Sequence, residues 1–135
     1  MTSTTLERVL LVEDDPDVRT VAGLALEASG RLTILACESG EEAVRRAPGF
    51  APQLVLLDYM MPGMDGPATL SALRALPGLE KVPVVFMTAK VQSGETSRYF
   101  QLGAVGLIPK PFSPLALEET VLDIWRRAAS GQVVG

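Results

Sequence analysis

The chain contains no histidine, which removes histidine metal sites and histidine general bases from consideration. Its single cysteine, Cys37, excludes an internal disulfide and fits a reducing, cytoplasmic setting. No apolar stretch approaches the roughly 20 residues that a bilayer-spanning helix needs, so membrane insertion is not expected. The N-terminal MTSTTLERVLLVEDDPDVR lacks the long apolar segment of a signal peptide. Surplus positive charge is missing too. Twelve Lys and Arg face 16 Asp and Glu, for a net charge of -4. That balance argues against direct nucleic-acid binding, because phosphate backbones attract basic surfaces. Internal repeats and low-complexity blocks are absent. What remains is a chain of 135 residues, 47% apolar, enough to bury one core and too short for much of a second.

The apolar residues come in five short runs. Val9-Leu10-Leu11-Val12 stops at Glu13-Asp14-Asp15 and reads as a buried strand, after which Pro16 opens a helical segment whose end Gly30 fits. Residues 32–36 form the second strand candidate. Ser39-Gly40-Glu41-Glu42 reads as a cap and a short helix that Pro48-Gly49 stops. Residues 54–57 are wholly apolar, as expected of a strand covered on both faces. A helix is expected over 67–76, a fourth strand over 82–87 and a helix over 93–102 closed by Gly103. The last strand is expected over 105–108. Ser113-Pro114 then opens a final helix with Leu117, Val121, Ile124 and Ala128 on one face. Strand–helix alternation repeated five times favours an α/β fold, a doubly wound five-stranded parallel sheet with helices on both faces, of the flavodoxin-like kind. Pro109 cannot donate a ladder hydrogen bond, so the fifth strand should be an edge or end early.

The polar residues fall where these runs stop. In open parallel sheets, sites form beyond the carboxyl ends of the strands. The first run ends at Glu13, Asp14 and Asp15, the third at Asp58, the fourth at Thr88, and the fifth near Lys110. Carboxylates brought together repel, and a hard divalent cation with oxygen ligands relieves that repulsion; Mg²⁺ fits best. A carboxylate beside Mg²⁺, a lysine and a threonine hydroxyl is equipped to receive a phosphoryl group, with Asp58 as nucleophile. Each residue alone has a plainer reading: Asp58 a turn residue, the acidic run a helix cap, Lys110 a solvated side chain. Four such residues at four strand ends make the joint reading the stronger one.

These pieces, VLLVEDDPDVR, LVLLDYMMPGMDG, VVFMTA and GAVGLIPKPF, in this order and spacing, closely resemble the receiver domain of two-component response regulators. The resemblance covers about residues 7–127 of a single domain spanning 1–135. It implies that Asp58 is the phosphoacceptor, and that Asp14 and Glu13 form the metal-binding acid pair, with Asp14 the more direct ligand. The backbone carbonyl of Met60 would be a further Mg²⁺ ligand. Thr88 and Lys110 would be the switch hydroxyl and the phosphate-facing lysine. Ala89 would be the small residue on the phosphate side, and Pro111 the proline after a cis bond. Met60 and Lys90 would flank the route of the water that removes the phosphoryl group. One departure stands out: the family's aromatic switch residue, three positions before the lysine, is Leu107 here.

The resemblance also implies partners. A sensor histidine kinase or a histidine phosphotransfer protein would donate the phosphoryl group. A downstream protein would read a surface made of the fourth helix, fifth strand and fifth helix, roughly 93–102, 105–108 and 114–127. The domain would catalyse its own phosphorylation and a slow autodephosphorylation rather than conventional turnover. The length favours a stand-alone receiver acting by protein contact, as a monomer or weak dimer, with Tyr99-Phe100 and Trp125 as interface candidates, although helical aromatics are more often partly buried packing residues. Two other classes remain in view: a non-phosphorylated binding module on the same fold, and a small Mg²⁺-dependent phosphohydrolase.

Overall fold

The computed structural model describes residues 5–89 and 93–129, with the side chains of 93–96 left aside. Five parallel strands form one sheet in the order β2-β1-β3-β4-β5. The strands are β1 (Arg8–Val12), β2 (Thr33–Cys37), β3 (Leu54–Asp58), β4 (Val84–Thr88) and β5 (Gly106–Pro109). The helices are α1 (Pro16–Glu27), α2 (Gly40–Phe50), α3 (Gly66–Arg74), α4 (Ser93–Gln101) and α5 (Pro114–Ala129). The expected doubly wound α/β architecture is therefore the observed one.

The two-residue period of the central strands divides the core into two layers. Leu10, Val12, Val55, Leu57, Val84 and Phe86 point to the side covered by α2, α3 and α4. Val9, Leu11, Leu54, Leu56, Val85 and Met87 point to the side covered by α1 and α5. β3 and β4 are buried along their full length, which is why they read as unbroken apolar runs. Burying both faces supplies most of the driving force, at roughly 1.5–3 kcal/mol for each large aliphatic side chain taken from water.

Local chemistry sets the helix starts. Asp15 caps α1 by accepting from the backbone N–H groups of Asp17 (2.9 Å) and Val18 (3.2 Å). The plainer reading of the acidic run, a helix cap, thus holds for Asp15. Ser39 caps α2 through Glu42 N–H at 3.1 Å. Asp65 caps α3 through Ala68 N–H at 2.9 Å. Gly30 and Gly103 follow α1 and α4 with φ of 81° and 107°, conformations that suit glycine.

Two boundaries differ from expectation for clear reasons. α2 runs through Pro48 to Phe50 instead of stopping at Pro48-Gly49. Ala51, in the left-handed region at φ 55°, closes the helix by donating its N–H to Ala47 O. Pro48 sits in the last turn, where its missing donor removes one bond and leaves the earlier turns intact. The fourth strand starts at Val84, two residues after the apolar run begins, because Pro83 precedes the paired region while its carbonyl accepts from Val55 N–H at 2.9 Å. β5 is an edge strand that ends on Pro109, as the missing donor required. No helix among the described residues is long and apolar enough to cross a membrane.

Two glycines predict opposite responses to alanine. A Cβ at Gly66 would lie 2.8 Å from Asp58 O, Tyr59 Cα and Tyr59 O, all backbone atoms that cannot move independently of β3. A Cβ at Gly23, inside α1, meets nothing within 4 Å. Gly66→Ala should lower the unfolding free energy by ~1–3 kcal/mol, whereas Gly23→Ala should raise it by ~0.5–1 kcal/mol. Urea melts of the two variants check both signs.

Candidate functional site

The register of the parallel ladders brings the strand ends to one edge. Val12 pairs with Leu57, Asp58 with Met87, and Thr88 with Pro109. Residues one step past these pairs must then lie side by side: Glu13 and Asp14 after β1, Asp58 closing β3, Thr88 closing β4 and Lys110 after β5. The chain stays pinned past the strand ends. Glu13 N–H donates to Cys37 O at 3.1 Å, Tyr59 N–H to Met87 O at 2.9 Å, and Lys110 N–H to Thr88 O at 2.9 Å.

Carboxylate oxygens of Glu13, Asp14 and Asp58 lie within 4.8 Å of one another. Glu13 is wholly buried and Asp58 nearly so, at 3% exposure. Lys110 Nζ reaches over both, 3.1 Å from Glu13 Oε1 and 3.2 Å from Asp58 Oδ1. Glu13 Oε2 also accepts from Asp15 N–H at 3.1 Å, and Asp58 Oδ1 from Met60 N–H at 3.4 Å. Asp15 is not one of the three clustered acids. Hard oxygen donors with a net negative charge that one lysine does not balance fit a divalent cation, and Asp14, only half-buried, gives the cluster its open side.

The electrostatics follow from this crowding. Burial pushes the Asp58 carboxyl up, contact with the Asp14 carboxyl and the charge of Glu13 add to that, and Lys110 offsets only part, leaving it at about 7. Burial acts to lower the Lys110 ammonium, but Glu13 and Asp58 outweigh it and hold the group above its ordinary value. Cys37 lies outside the cluster, and burial pushes its thiol up to about 11, which makes it a packing residue.

Other expected residues fall around this centre. Thr88 is 3% exposed, and its Oγ1 lies 3.3 Å from the hydroxyl of Tyr99. Ala89 is exposed beside it, and Met60 is 65% exposed beside Asp58. The Lys110-Pro111 bond is cis. Leu107 is half-buried against the α2–α4 side of the core and pairs with Phe86. Lys90 lies outside the described residues.

For Tyr99 the plainer reading, a packing residue, holds over the interface reading: it is buried at 2% exposure. Its ring sits 4.8 Å from that of Tyr59 and 6.0 Å from that of Phe86, and Tyr59 meets Phe86 at 5.3 Å. The available signal was the pair Tyr99-Phe100 itself. Neighbours on a helix point about 100° apart, so only one of the pair can point straight at the sheet, and in a segment with no other apolar residue (SGETSRYFQ) one of them is needed there. Trp125 is half-buried against the α1–α5 side of the core.

With this geometry in place, likeness to known proteins decides the family. The model of the response regulator receiver domain matches residues 9–122. The chain belongs to the response regulator receiver family. It is 34% identical over 127 residues to the response regulator Rre1 of Synechocystis sp., covering 94% of this chain and 55% of that protein. It is 35% identical over 121 residues to the DNA-binding response regulator MtrA of Mycolicibacterium smegmatis, covering 90% of this chain and 51% of that protein. The receiver thus spans about half the length of the curated relatives it matches. Among solved structures, the receiver domain of a signal transduction histidine kinase from Syntrophus aciditrophicus superposes with a TM-score of 0.75 at 30% identity, covering 89% of this chain and 90% of that one. Chemotaxis protein CheY4 of Vibrio cholerae superposes with a TM-score of 0.80 at 24% identity over 88% of this chain and 98% of that one. The CheY4 likeness speaks to the fold alone.

The raised Asp58 carboxyl makes a signed prediction. The native state keeps the Asp58 proton between about 4 and 7 while the unfolded chain has lost it. The resulting contribution to stability is complete below the unfolded value and is lost as pH rises through about 7. In metal-free buffer, stability should therefore decline from pH 5 to pH 8 more steeply in the wild type than in Asp58→Asn, by at most ~1.4 kcal/mol per pH unit. Thermal melts across that range check the difference, and parallel curves would refute it.

Proposed function

We propose that this receiver is a phosphoacceptor of a two-component or phosphorelay system, taking a phosphoryl group onto Asp58. The observation that carries this reading is the buried Asp58 carboxylate, held at a rigid strand end between Lys110 and the acids Glu13 and Asp14. A carboxylate oxygen attacks phosphorus, an O–P bond forms, and the donor's N–P bond breaks. β3 keeps the nucleophile aligned, and burial on the sheet edge restricts its motion. Lys110 donates to the charged oxygens, and the Thr88 hydroxyl donates to one phosphoryl oxygen as the charge is transferred. A bound Mg²⁺, held by Asp14, Asp58 and the Met60 carbonyl with Glu13 behind them, would neutralise phosphoryl charge. Ala89 leaves space on the phosphate side, and Pro111 shapes the chain that carries Lys110.

These 135 residues hold no histidine, so the phosphohistidine donor lies outside them, on a sensor histidine kinase or a histidine phosphotransfer protein. The reading of the signal is assigned to the face formed by α4, β5 and α5. β5 is the sheet edge, with α4 on one side of the sheet and α5 on the other, so a partner can meet all three. The acidic net charge favours a protein partner over nucleic acid. The receiver then works in the cytoplasm, beside its donor.

Intact mass after incubation with Mg²⁺ and acetyl phosphate tests the chemistry. One phosphoryl adduct is expected in the wild type and none in Asp58→Asn or in EDTA. If neither acetyl phosphate nor a phosphohistidine donor gives an adduct on folded protein, the fold serves as a binding module instead. The same adduct should persist for many minutes or longer once the donor is removed. The exposed Met60 side chain beside Asp58 offers no hydrogen bond to orient an attacking water. A half-life of seconds would contradict that role for Met60.

A further inference from the structure

Thr88 and Tyr99 are both buried, and their hydroxyl oxygens lie 3.3 Å apart. Tyr99 is fixed from its other sides. Its ring stands edge-on to Tyr59, with an interplanar angle of 81°, and is tilted by 54° against Phe86. Tyr59 directly follows Asp58 in the chain, and Phe86 lies two residues before Thr88 on β4. The Tyr99 hydroxyl is thus held against Thr88 by the same strands that carry the acceptor and the hydroxyl.

We propose that Tyr99 is a positioning residue for phosphoryl binding: its O–H donates to Thr88 Oγ1 and so orients the Thr88 proton towards the phosphoryl group on Asp58. The inference deepens the acceptor reading above and rests on it.

A threonine hydroxyl has one proton and two lone pairs. Without a phosphoryl group, either oxygen of the Thr88–Tyr99 pair can be the donor. Once Thr88 gives its proton to a phosphoryl oxygen, it can only accept from Tyr99. Phosphorylation therefore fixes the polarity of a chain running from Tyr99 O–H to Thr88 Oγ1–H to the phosphoryl oxygen. Each bond in such a chain polarises and strengthens the next, more so away from water. Because Tyr99 belongs to α4, the same bond ties the position of that helix to the occupancy of Asp58.

The test is a titration with beryllium fluoride in the presence of Mg²⁺, a non-covalent phosphoryl mimic, followed by ¹⁹F NMR. Four proteins are needed: wild type, Tyr99→Phe, Thr88→Val and the double variant. Tyr99→Phe keeps the ring and its packing and removes only the hydroxyl. The bond exists already in the free protein, so binding reads only its strengthening: affinity should fall by roughly 3-fold, and the mimic-free unfolding midpoint should drop modestly through loss of one buried hydrogen bond. In the Thr88→Val background, Tyr99→Phe should have no further effect. Wild-type affinity in Tyr99→Phe would overturn the proposal. So would an equal loss in the presence and absence of the Thr88 hydroxyl, since that would make Tyr99 a packing residue. Failure of the wild type to bind the mimic would remove the acceptor reading itself, and the role of Tyr99 with it.

Discussion

A fully buried carboxylate is tolerable only with a cation against it, and Glu13 is that carboxylate. Its partner, Lys110, comes from a strand end 97 residues away and bridges to Asp58 as well. Stripping water from a charge costs several kcal/mol, and one good ion pair repays that only when the remaining lone pairs are also satisfied. Here Glu13 uses one oxygen for the ammonium and the other for Asp15 N–H. The arrangement is therefore less a source of stability than a constraint. It forces β1, β3 and β5 to end in one place, with Lys110 turned inward, before any ligand arrives.

That constraint leaves a deliberate imbalance. Among the described residues one lysine faces three carboxylates, and the surplus falls on Asp58, whose carboxyl is raised by burial and by its acidic neighbours. A nucleophile in this state is poised in two senses. It is shielded from competing water by the strand that carries it, and its charged form gains strongly from any cation that enters the cluster. The half-buried Asp14 gives that cation its way in, while Glu13, deeper and already paired, sets the depth of the site. Fold and chemistry meet in the register. Shifting β3 by one residue against β1 would turn Asp58 onto the opposite face of the sheet.

Much of this was legible in the sequence because parallel strands buried on both faces leave little ambiguity. LVLLD and VVFMT each end an apolar run on a polar residue, so the position of Asp58 and Thr88 follows from where the apolar residues stop. Asp15 and Ser39 announced their helices by the ordinary chemistry of caps. The end of α2 was not legible, since Pro48 is a strong stop signal and only the tertiary packing of Ala43 and Ala47 carries the helix past it. The burial of Tyr99 was hidden for a related reason. α4 is a polar helix, so it shows no apolar stripe that would identify its inner face. Among its described side chains, Tyr99 and the half-buried Phe100 face the core, and two adjacent residues show no helical period.

Tyr99 also changes how the departure at Leu107 is understood. Losing an aromatic ring from β5 looks, in sequence, like losing a moving part. In the structure Leu107 pairs with Phe86 and packs against the same apolar layer as Tyr99, so the ring in that layer nearest Thr88 comes from α4 and not from β5. The two arrangements differ mechanically. A ring on an edge strand can swing about its own side-chain bonds while the strand stays in place. Tyr99 is packed edge-on against Tyr59 and tilted against Phe86, and interiors at this density leave little room for a ring to travel. Movement of Thr88 must then be answered either by the direction of the hydrogen bond or by displacement of the helix that bears the ring. With Tyr99 as the proposed positioning residue, the response to the acceptor would fall to α4 as a body, through a pair of hydroxyl groups rather than a rotating side chain.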